Sequence, residues 1–168
     1  MSGAKDLLDF IDWSCLECLN EQHAHPATNV LKQGYREDDG LFLESDTDEQ
    51  LLLNIHFNQK VRIHSITIKG PEEEGPKVVK LYTNRMSLGF SDADSVPCVQ
   101  QLDLTPKELA GEPISLKLTK FNSVTILSIL IDSNQSDADT TKVFKICLAG
   151  QAGDTFNVAE IKKQEEQG

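Results

Sequence analysis

The chain has 168 residues, enough for one domain to bury a core without disulfide or metal staples, and its 39% hydrophobic and 26% charged content is ordinary for a globular protein. The formal net charge of −11 repels phosphate backbones and anionic leaflets, so neither nucleic acid nor a membrane is an expected partner. No stretch approaches the roughly 18 apolar residues of a membrane span, and the start does not resemble a secretory signal. We therefore expect a monomer in the cytoplasm, and also the nucleus, with reduced cysteines and no cofactor.

The first predicted element is an amphipathic segment at residues 5–20. Apolar residues recur there at three- and four-residue spacing, which predicts one apolar stripe laid across the core. The residues of this stripe are Leu7, Leu8, Ile11, Cys15, Cys18 and Leu19. Residues 20–40 are polar and carry turn signals, so a short helical or irregular segment precedes the main fold.

From residue 41 onward the pattern predicts strands. In the segment 50–57, apolar residues alternate with a period of two, which is typical of a strand with one face on a core. Further candidates, separated by Gly, Pro and Asp turns, are 41–43, 61–69, 77–83, 98–104, 114–118, 123–131 and 142–149. Parallel strands need crossover helices, and almost none are predicted, so the sheet should be antiparallel. The predicted fold class is all-β, with two antiparallel sheets that face each other as a sandwich or jelly roll.

Two strands carry further detail. Within 61–69 the apolar phase slips by one between His64 and Ser65, which predicts a β-bulge. The strand 123–131 is apolar on both faces, so it should be central in its sheet. The tail at 160–168 is charged and lacks a hydrophobic stripe, and we expect it to be frayed.

Cys15 and Cys18 form a C-x-x-C pair, a spacing found in redox pairs and metal sites. Nearby acids, Glu17 among them, raise a thiol pKa and make a poor nucleophile. With His23 the pair supplies three positions of a zinc knuckle, but the fourth is Thr28, whose hydroxyl is a poor zinc ligand. We favour a packing role for both cysteines and keep a thiol or zinc-binding function as an alternative.

An acidic run before strand 50–57 resembles a calcium loop in its charge and alternate spacing. The EF-hand pattern requires Gly at the sixth position and Glu at the twelfth, where this run has Glu49 and Ile55. The chain contains no nucleophile elbow, no glycine-rich phosphate loop and no His-Glu-x-x-His motif. No catalytic, cofactor-binding or metal-binding residue is therefore assigned, and an enzyme is not predicted.

Sugar binding by a sandwich usually needs exposed aromatic platforms. Trp13, Tyr35 and Tyr82 are the only Trp and Tyr residues of the chain, and core packing is the favoured role of each. A small-ligand or carbohydrate-binding jelly roll remains a second alternative, based on fold analogy.

Several separated motifs occur in order: Glu17-Cys18-Leu19-Asn20, the run 44–53, Lys80-Leu81-Tyr82-Thr83-Asn84, Lys120-Phe121, and Asp132-Ser133-Asn134-Gln135 with Thr140-Thr141. Together they resemble the PITH family, the "proteasome-interacting thioredoxin" domain, over residues 6–150, with 151–168 as a C-terminal extension. The resemblance implies a galactose-binding-like jelly roll, no catalytic residues, and association with the 19S regulatory particle of the proteasome. Only about five residues precede it, so the chain resembles stand-alone members without a thioredoxin domain. Cys15 lies outside the family motif.

The leading hypothesis is a non-enzymatic protein-interaction module. If the acidic turns at 44–49 and 132–139 share one end of the sandwich, they are suited to meet a basic patch on a partner. The candidate contact residues are Glu44, Asp46, Asp48, Glu49, Asp132, Asn134, Gln135, Asp137 and Asp139.

Overall fold

Strands make up most of the regular structure in residues 5–31 and 40–152, the ranges that the computed structural model describes. They are β1 (Lys5–Asp6), β2 (Glu17–Leu19), β3 (Leu43–Glu44), β4 (Leu51–Lys69), β5 (Val78–Thr83), β6 (Gln100–Asp103), β7 (Ile114–Ser115), β8 (Val124–Ile131), β9 (Lys142–Val143) and β10 (Lys145–Ala152). Three short helices, α1 (Thr28–Leu31), α2 (Phe90–Ser95) and α3 (Pro106–Leu109), lie between them. No helix in these ranges has the length and apolar character needed to cross a bilayer.

The 19-residue strand β4 belongs to both layers of the sandwich. Its first half pairs with β2 and β8, and β8 continues through β5 to β6. Its second half pairs with β7 and β10, and β10 pairs with β1. Every pairing is antiparallel, so the predicted antiparallel sandwich is confirmed, although the predicted strands 50–57 and 61–69 are one continuous strand. The register shifts between His56 and Val61, where the chain passes from one layer to the other.

The predicted bulge lies where the apolar phase of β4 slips. Ser65 pairs with Ala149 and Ile63 with Gly150, so His64 is an extra residue on β4. An extra residue in one strand reverses the facing of all residues beyond it. Apolar residues on both sides of the bulge therefore point to the core, and the prediction is confirmed.

Strand β8 is central, as predicted, with β4 on one side and β5 on the other. Seven of its eight residues are buried. Leu127 and Ile129 join the main core, whereas Leu130 packs with Tyr82 and Ala93 in a second cluster beneath α2. Each fully buried aliphatic side chain contributes about 1.5–3 kcal/mol to the stability of the folded state. Strand β8 supplies such side chains to both clusters.

Residues 5–20 take the irregular form of the predicted helical or irregular N-terminal segment. The segment forms two single 3-10 turns, Leu7–Phe10 and Trp13–Cys15, and then β2. The Asp6 carboxylate accepts a hydrogen bond from Leu8 N at 2.8 Å and starts the first turn. Asp12 caps the second turn in the same way, and the backbone is extended between the two turns, so no continuous helix forms. The stripe still packs inward, with Leu7 buried.

Other predicted boundaries shift in three places. The connection between the predicted strands 77–83 and 98–104, expected to be a turn, contains helix α2, because the Asp92 carboxylate accepts from Gly89 N at 3.1 Å and stabilises the first turn. The predicted strand 142–149 is divided at Phe144 into β9, which pairs with β3, and β10, which pairs with β4. The predicted strand 114–118 shortens to β7. Strand β10 runs to Ala152, and the tail predicted to be frayed lies outside the described residues.

Candidate interaction surface

The two acidic turns lie together at one end of the sandwich. Strand β4 begins and β8 ends at this end, because Leu51 pairs with Ile131. The segment before β4 and the segment after β8 are therefore neighbours, as the hypothesis of a shared end requires.

Hydrogen bonds join these two segments directly. Ser45 N donates to Thr141 O at 3.0 Å, and Thr141 N donates back to Ser45 Oγ at 2.8 Å. Thr140 Oγ1 donates to the Glu44 carboxylate at 2.7 Å. Gln50 Nε2 donates to Asp132 Oδ1 at 2.6 Å. The carboxylates of Glu44 and Asp132 are thus held in place by the opposite segment, which orders this surface in advance of any binding.

A third acidic segment, residues 71–77, lies against the other two. Gln135 N donates to Gly75 O at 3.0 Å, and Ser136 Oγ donates to Glu73 O at 2.9 Å. These bonds bring the run Glu72-Glu73-Glu74 to the same end. Sequence reasoning treated this stretch as turn signals alone, although three consecutive glutamates between two Gly-Pro pairs were a visible signal.

We call residues 44–50, 71–77 and 132–141 the acidic loop face. These segments contain ten acidic residues against one lysine, Lys77, in a chain whose formal net charge is −11. Like charges gathered on one face produce a potential that attracts a basic surface and speeds its association. The negative charge of this protein is therefore concentrated and is not spread evenly.

Asn20 holds the segment 44–50 in place. Its side-chain amide donates to Asp48 Oδ1 at 2.8 Å and to Gln50 O at 2.8 Å, and its Oδ1 accepts from Thr47 N at 3.1 Å. Its backbone O accepts from Asp46 N at 2.8 Å. Asn20 has a φ of 72°, a left-handed conformation that asparagine tolerates better than most residues. One side chain on the neighbouring β2 edge thus fixes the shape of this acidic turn.

Two of the nine predicted contact residues act inside the loop. Asn134 is 2% exposed, and its amide donates to Ala138 O at 2.9 Å and Thr140 O at 3.2 Å while its Oδ1 accepts from Ala138 N at 2.8 Å. Gln135 Nε2 donates to Pro76 O and Leu104 O at 2.9 and 2.8 Å. These amides stabilise the segment 132–141, and the carboxylates remain the candidate contact residues.

The acids of the face differ in exposure and engagement. Asp46, Asp48, Asp137 and Asp139 are exposed, whereas Glu44, Glu49 and Asp132 are partly buried. Asp48 also accepts from Gln50 N at 3.0 Å, so its carboxylate is part of the turn. Glu72 and Glu73 are exposed as well. Among the residues that the structure describes, the exposed acids of the face whose carboxylates accept no hydrogen bond are Asp46, Glu72, Glu73, Asp137 and Asp139. These five are the candidate contact carboxylates.

Replacing Asn134 by alanine tests the internal role of that amide. We expect the free energy of unfolding to fall by about 1–3 kcal/mol, because partly buried backbone groups of Ala138 and Thr140 lose their partner, the buried Asn134 amide. Asp137→Asn is the matched control, since Asp137 is exposed and its φ of 60° suits asparagine. The control should change stability by less than about 0.5 kcal/mol in urea unfolding. If both substitutions lowered the free energy of unfolding equally, the internal role of the Asn134 amide would be contradicted.

The cysteine pair does not have the environment of a reactive dithiol. Cys15 is exposed, and its thiol donates to Asp12 Oδ2 at 3.5 Å. Burial, followed by the charges of Glu21 and Glu17, raises the pKa of the Cys18 thiol well above its usual range. Burial and the adjacent Asp6 raise the pKa of Cys147 to about 11. Redox and nucleophilic cysteines need the opposite shift, toward the thiolate.

Thiol labelling tests this environment. At about pH 8 we expect Cys18 to react with iodoacetamide at least roughly tenfold more slowly in the folded than in the denatured protein, because the folded thiol holds its proton. Mass spectrometry of the labelled peptides measures each cysteine separately. Exposed Cys15 is the internal reference, and a Cys18 that reacts as fast as Cys15 would contradict the assigned pKa shift.

The metal interpretations find no support in the described structure. No group of three or more His, Cys, Asp or Glu side chains in residues 5–31 and 40–152 is arranged to hold an ion. The carboxylates of Glu44 and Asp48 accept hydrogen bonds within the loops, and burial raises the pKa of the Cys18 thiol, which disfavours the thiolate that a metal needs.

The Trp and Tyr residues in the described ranges form no exposed aromatic platform. Tyr82 is 1% exposed and donates its hydroxyl to Ala93 O at 3.2 Å. Trp13 is partly buried against the main core, and Tyr35 lies outside the described residues. Two open grooves, of about 330 and 240 Å³, are lined by no aromatic residue.

Comparison with known proteins identifies relatives of the chain. The family model described as PITH domain matches residues 1–167. Thioredoxin-like protein 1 of Schizosaccharomyces pombe is 36% identical over 98% of this chain, and the match spans 58% of that protein. PITH domain-containing protein 1 of Homo sapiens is 38% identical over 84% of this chain and 67% of its own length. The chain thus corresponds to somewhat more than half of the fission-yeast relative and two thirds of the human one.

Solved structures share the fold at low sequence identity. A family 32 carbohydrate-binding module from Clostridium perfringens in complex with galactose matches 87% of this chain and 98% of its own, with a TM-score of 0.63 and 7% identity. A fucolectin from striped bass serum matches 89% of this chain and 50% of its own, with a TM-score of 0.61 and 14% identity. The predicted galactose-binding-like jelly roll is confirmed by this likeness, which concerns the fold alone.

Proposed function

Because this chain belongs to the PITH domain family, we propose that it is a non-enzymatic protein-interaction module that docks on the proteasome regulatory particle through the acidic loop face. The partner surface is basic and lies on a subunit of that particle. The docking takes place in the cytoplasm and nucleus, where thiols stay reduced.

The observation that carries this proposal is the concentration of ten acids on three loops that are hydrogen-bonded to one another. Loops fixed in advance lose little conformational entropy on binding, so their charges contribute more fully to association. Complementary charge also steers the encounter and makes it sensitive to salt.

Sugar binding is the alternative suggested by the titles of the structural neighbours, one of which is bound to galactose. The neighbours named above are 14% identical or less, and Tyr82 lies in the core beneath α2. Because these observations supply no aromatic platform, we propose protein docking in preference to a sugar site.

Affinity capture from a cell extract tests the proposal. A tagged chain is used as bait at about 50 mM and about 500 mM salt, and the captured proteins are identified by mass spectrometry. Regulatory-particle subunits should be recovered at low salt and depleted at high salt. Their absence under both conditions would remove the proposal.

A further inference from the structure

The end of the sandwich opposite the acidic loop face has the reverse charge. Strands β5 and β8 pair from Val79–Ile131 at the acidic end to Thr83–Leu127, so the segment after β5 and the segment before β8 meet at the other end. Asn84 Nδ2 donates to Ser123 O at 3.0 Å and joins them. The stretch of β4 at 58–62, where its pairing with β8 is irregular, lies beside them, because Val61 pairs with Val124. We call residues 58–62, 84–87 and 117–123 the basic loop end.

The basic loop end contains five basic residues and no acidic residue. They are Lys60, Arg62, Arg85, Lys117 and Lys120. Of these, all but Arg62 are exposed. Backbone pairing brings Asp12 to the flank of this end, since Asp12 N donates to His56 O at 2.7 Å. The hydrogen bond that its carboxylate accepts from Ser14 Oγ at 2.6 Å lowers the pKa of Asp12, so one negative charge borders the five cations.

The same end displays apolar side chains to solvent. Met86 is 74% exposed and Leu118 is 53% exposed, and these are the large hydrophobic residues found exposed in the described ranges. Each directly follows a cation in the sequence, Arg85 and Lys117 respectively. The loop that carries Met86 is held by left-handed backbone at Asn84 and Ser87, with φ of 58° and 54°. Met86 is thus exposed on a turn with a defined backbone conformation.

The acidic loop face does not cancel the charge of this end. The eight residues of β8 separate the two ends, which at about 3.3 Å per residue is roughly 23 Å. The Debye length at physiological ionic strength is about 8 Å, so solvent-exposed charges at this separation are largely screened. A net charge of −11 predicts repulsion from an anionic leaflet only if the charge is evenly spread, and here it is polarised.

We propose that the basic loop end docks on an anionic lipid surface, with Met86 and Leu118 entering the boundary between headgroups and acyl chains. Interfacial anchors combine apolar side chains that enter this boundary with flanking cations that stay at the headgroups. The acidic loop face then points away from the membrane. This orientation leaves the acidic loop face accessible, and the inference does not depend on the function proposed for that face.

Other anionic partners fit this end less well. Single-stranded nucleic acid is held by exposed aromatic rings as well as by cations, and the aromatic residue of the basic loop end, Phe121, is fully buried. The cores of protein interfaces are enriched in aromatic residues and depleted of charged ones, whereas the exposed side chains of this end include cations and no aromatic ring. The basic loop end presents two separate aliphatic side chains on two loops, which a fluid bilayer accommodates without a matching pocket.

Vesicle sedimentation of the full chain tests the proposal. The probes are vesicles of phosphatidylcholine with about 30% phosphatidylserine, and vesicles of phosphatidylcholine alone, at low salt. The protein should sediment with the anionic vesicles only. The variant pair K117Q/K120Q should lower the partition coefficient about tenfold or more, and so should the pair M86S/L118S. The matched control K77Q/K107Q makes the same change in net charge with exposed lysines elsewhere and should alter partitioning less than about twofold.

Each contrary outcome overturns the proposal. Failure to sediment with anionic vesicles, equal binding to neutral vesicles, or an equal loss in K77Q/K107Q would each do so. Binding to polyglutamate in place of vesicles would assign this end to an acidic protein surface. Urea unfolding of every variant separates a loss of binding from a loss of fold, and all substituted side chains are exposed, so the fold should persist.

Discussion

Gly150→Ala is expected to lower the free energy of unfolding by about 3 kcal/mol, because the β-bulge leaves no room for a side chain. A Cβ at Gly150 would lie 1.8 Å from the backbone O of Arg62, a contact that only movement of the backbone relieves. Gly150 pairs with Ile63 at the point where β4 carries its extra residue, so such movement disturbs the facing of the whole second half of β4.

Urea unfolding measures this effect, with Gly89→Ala as the matched control. A Cβ at Gly89 would meet Asp92 Oδ2 at 3.6 Å, an ordinary contact, and its backbone φ of −111° suits any residue. We expect the control to cost less than about 1 kcal/mol, as for other changes at a helix N-cap. A Gly150→Ala protein as stable as the control would show that β4 and β10 do not meet in the register described here.

The double charge reversal D46K/D139K is expected to slow association with the proteasome regulatory particle by about tenfold at low salt. Both carboxylates are exposed and accept no hydrogen bond from the described residues, so the loops keep their shape while the local field falls. Loss of electrostatic steering acts mainly on the association rate and leaves dissociation less affected.

The matched variant D9K/D94K changes the net charge of the chain by the same amount at exposed positions outside the acidic loop face. Biolayer interferometry with the purified particle gives both rates for each variant. The control should associate within about twofold of the unmodified chain. A control that slows as much as D46K/D139K would show that overall charge matters and that the acidic loop face has no special role.

The fold was predictable from sequence because the period-two pattern of a strand shows which of its residues point to the core. The alternation at 51–57 and the phase slip near His64 gave the strand and its bulge directly, since a bulge changes only the facing of residues. The two-sided apolar character of 124–131 likewise placed β8 at the centre of its sheet.

Other features were beyond the reach of periodicity. The stripe at 5–20 fits a helix, but it also fits two capped turns followed by a strand, and the side chains of Asp6 and Asp12 decide between them. The internal role of Asn134 depends on its hydrogen bond to the carbonyl of Ala138. A prediction of contact residues from polarity alone does not detect such a bond.

The charge polarity of the molecule required the topology. The run 72–74 joins the acidic loop face only because residues 132–141 fold back on it. In the same way, Lys60, Arg85 and Lys117 are far apart in the sequence and meet only because β4, β5 and β8 are neighbours. The net charge can be counted from the sequence, but it does not reveal either group of charges.

A salt titration of binding to the purified proteasome regulatory particle tests the central claim most directly. If the acidic loop face docks on a basic surface, the particle binds at low salt and the dissociation constant rises steadily as salt is raised through about 0.05–0.5 M. Absence of binding at the lowest salt, or a dissociation constant that does not change across the series, would contradict it.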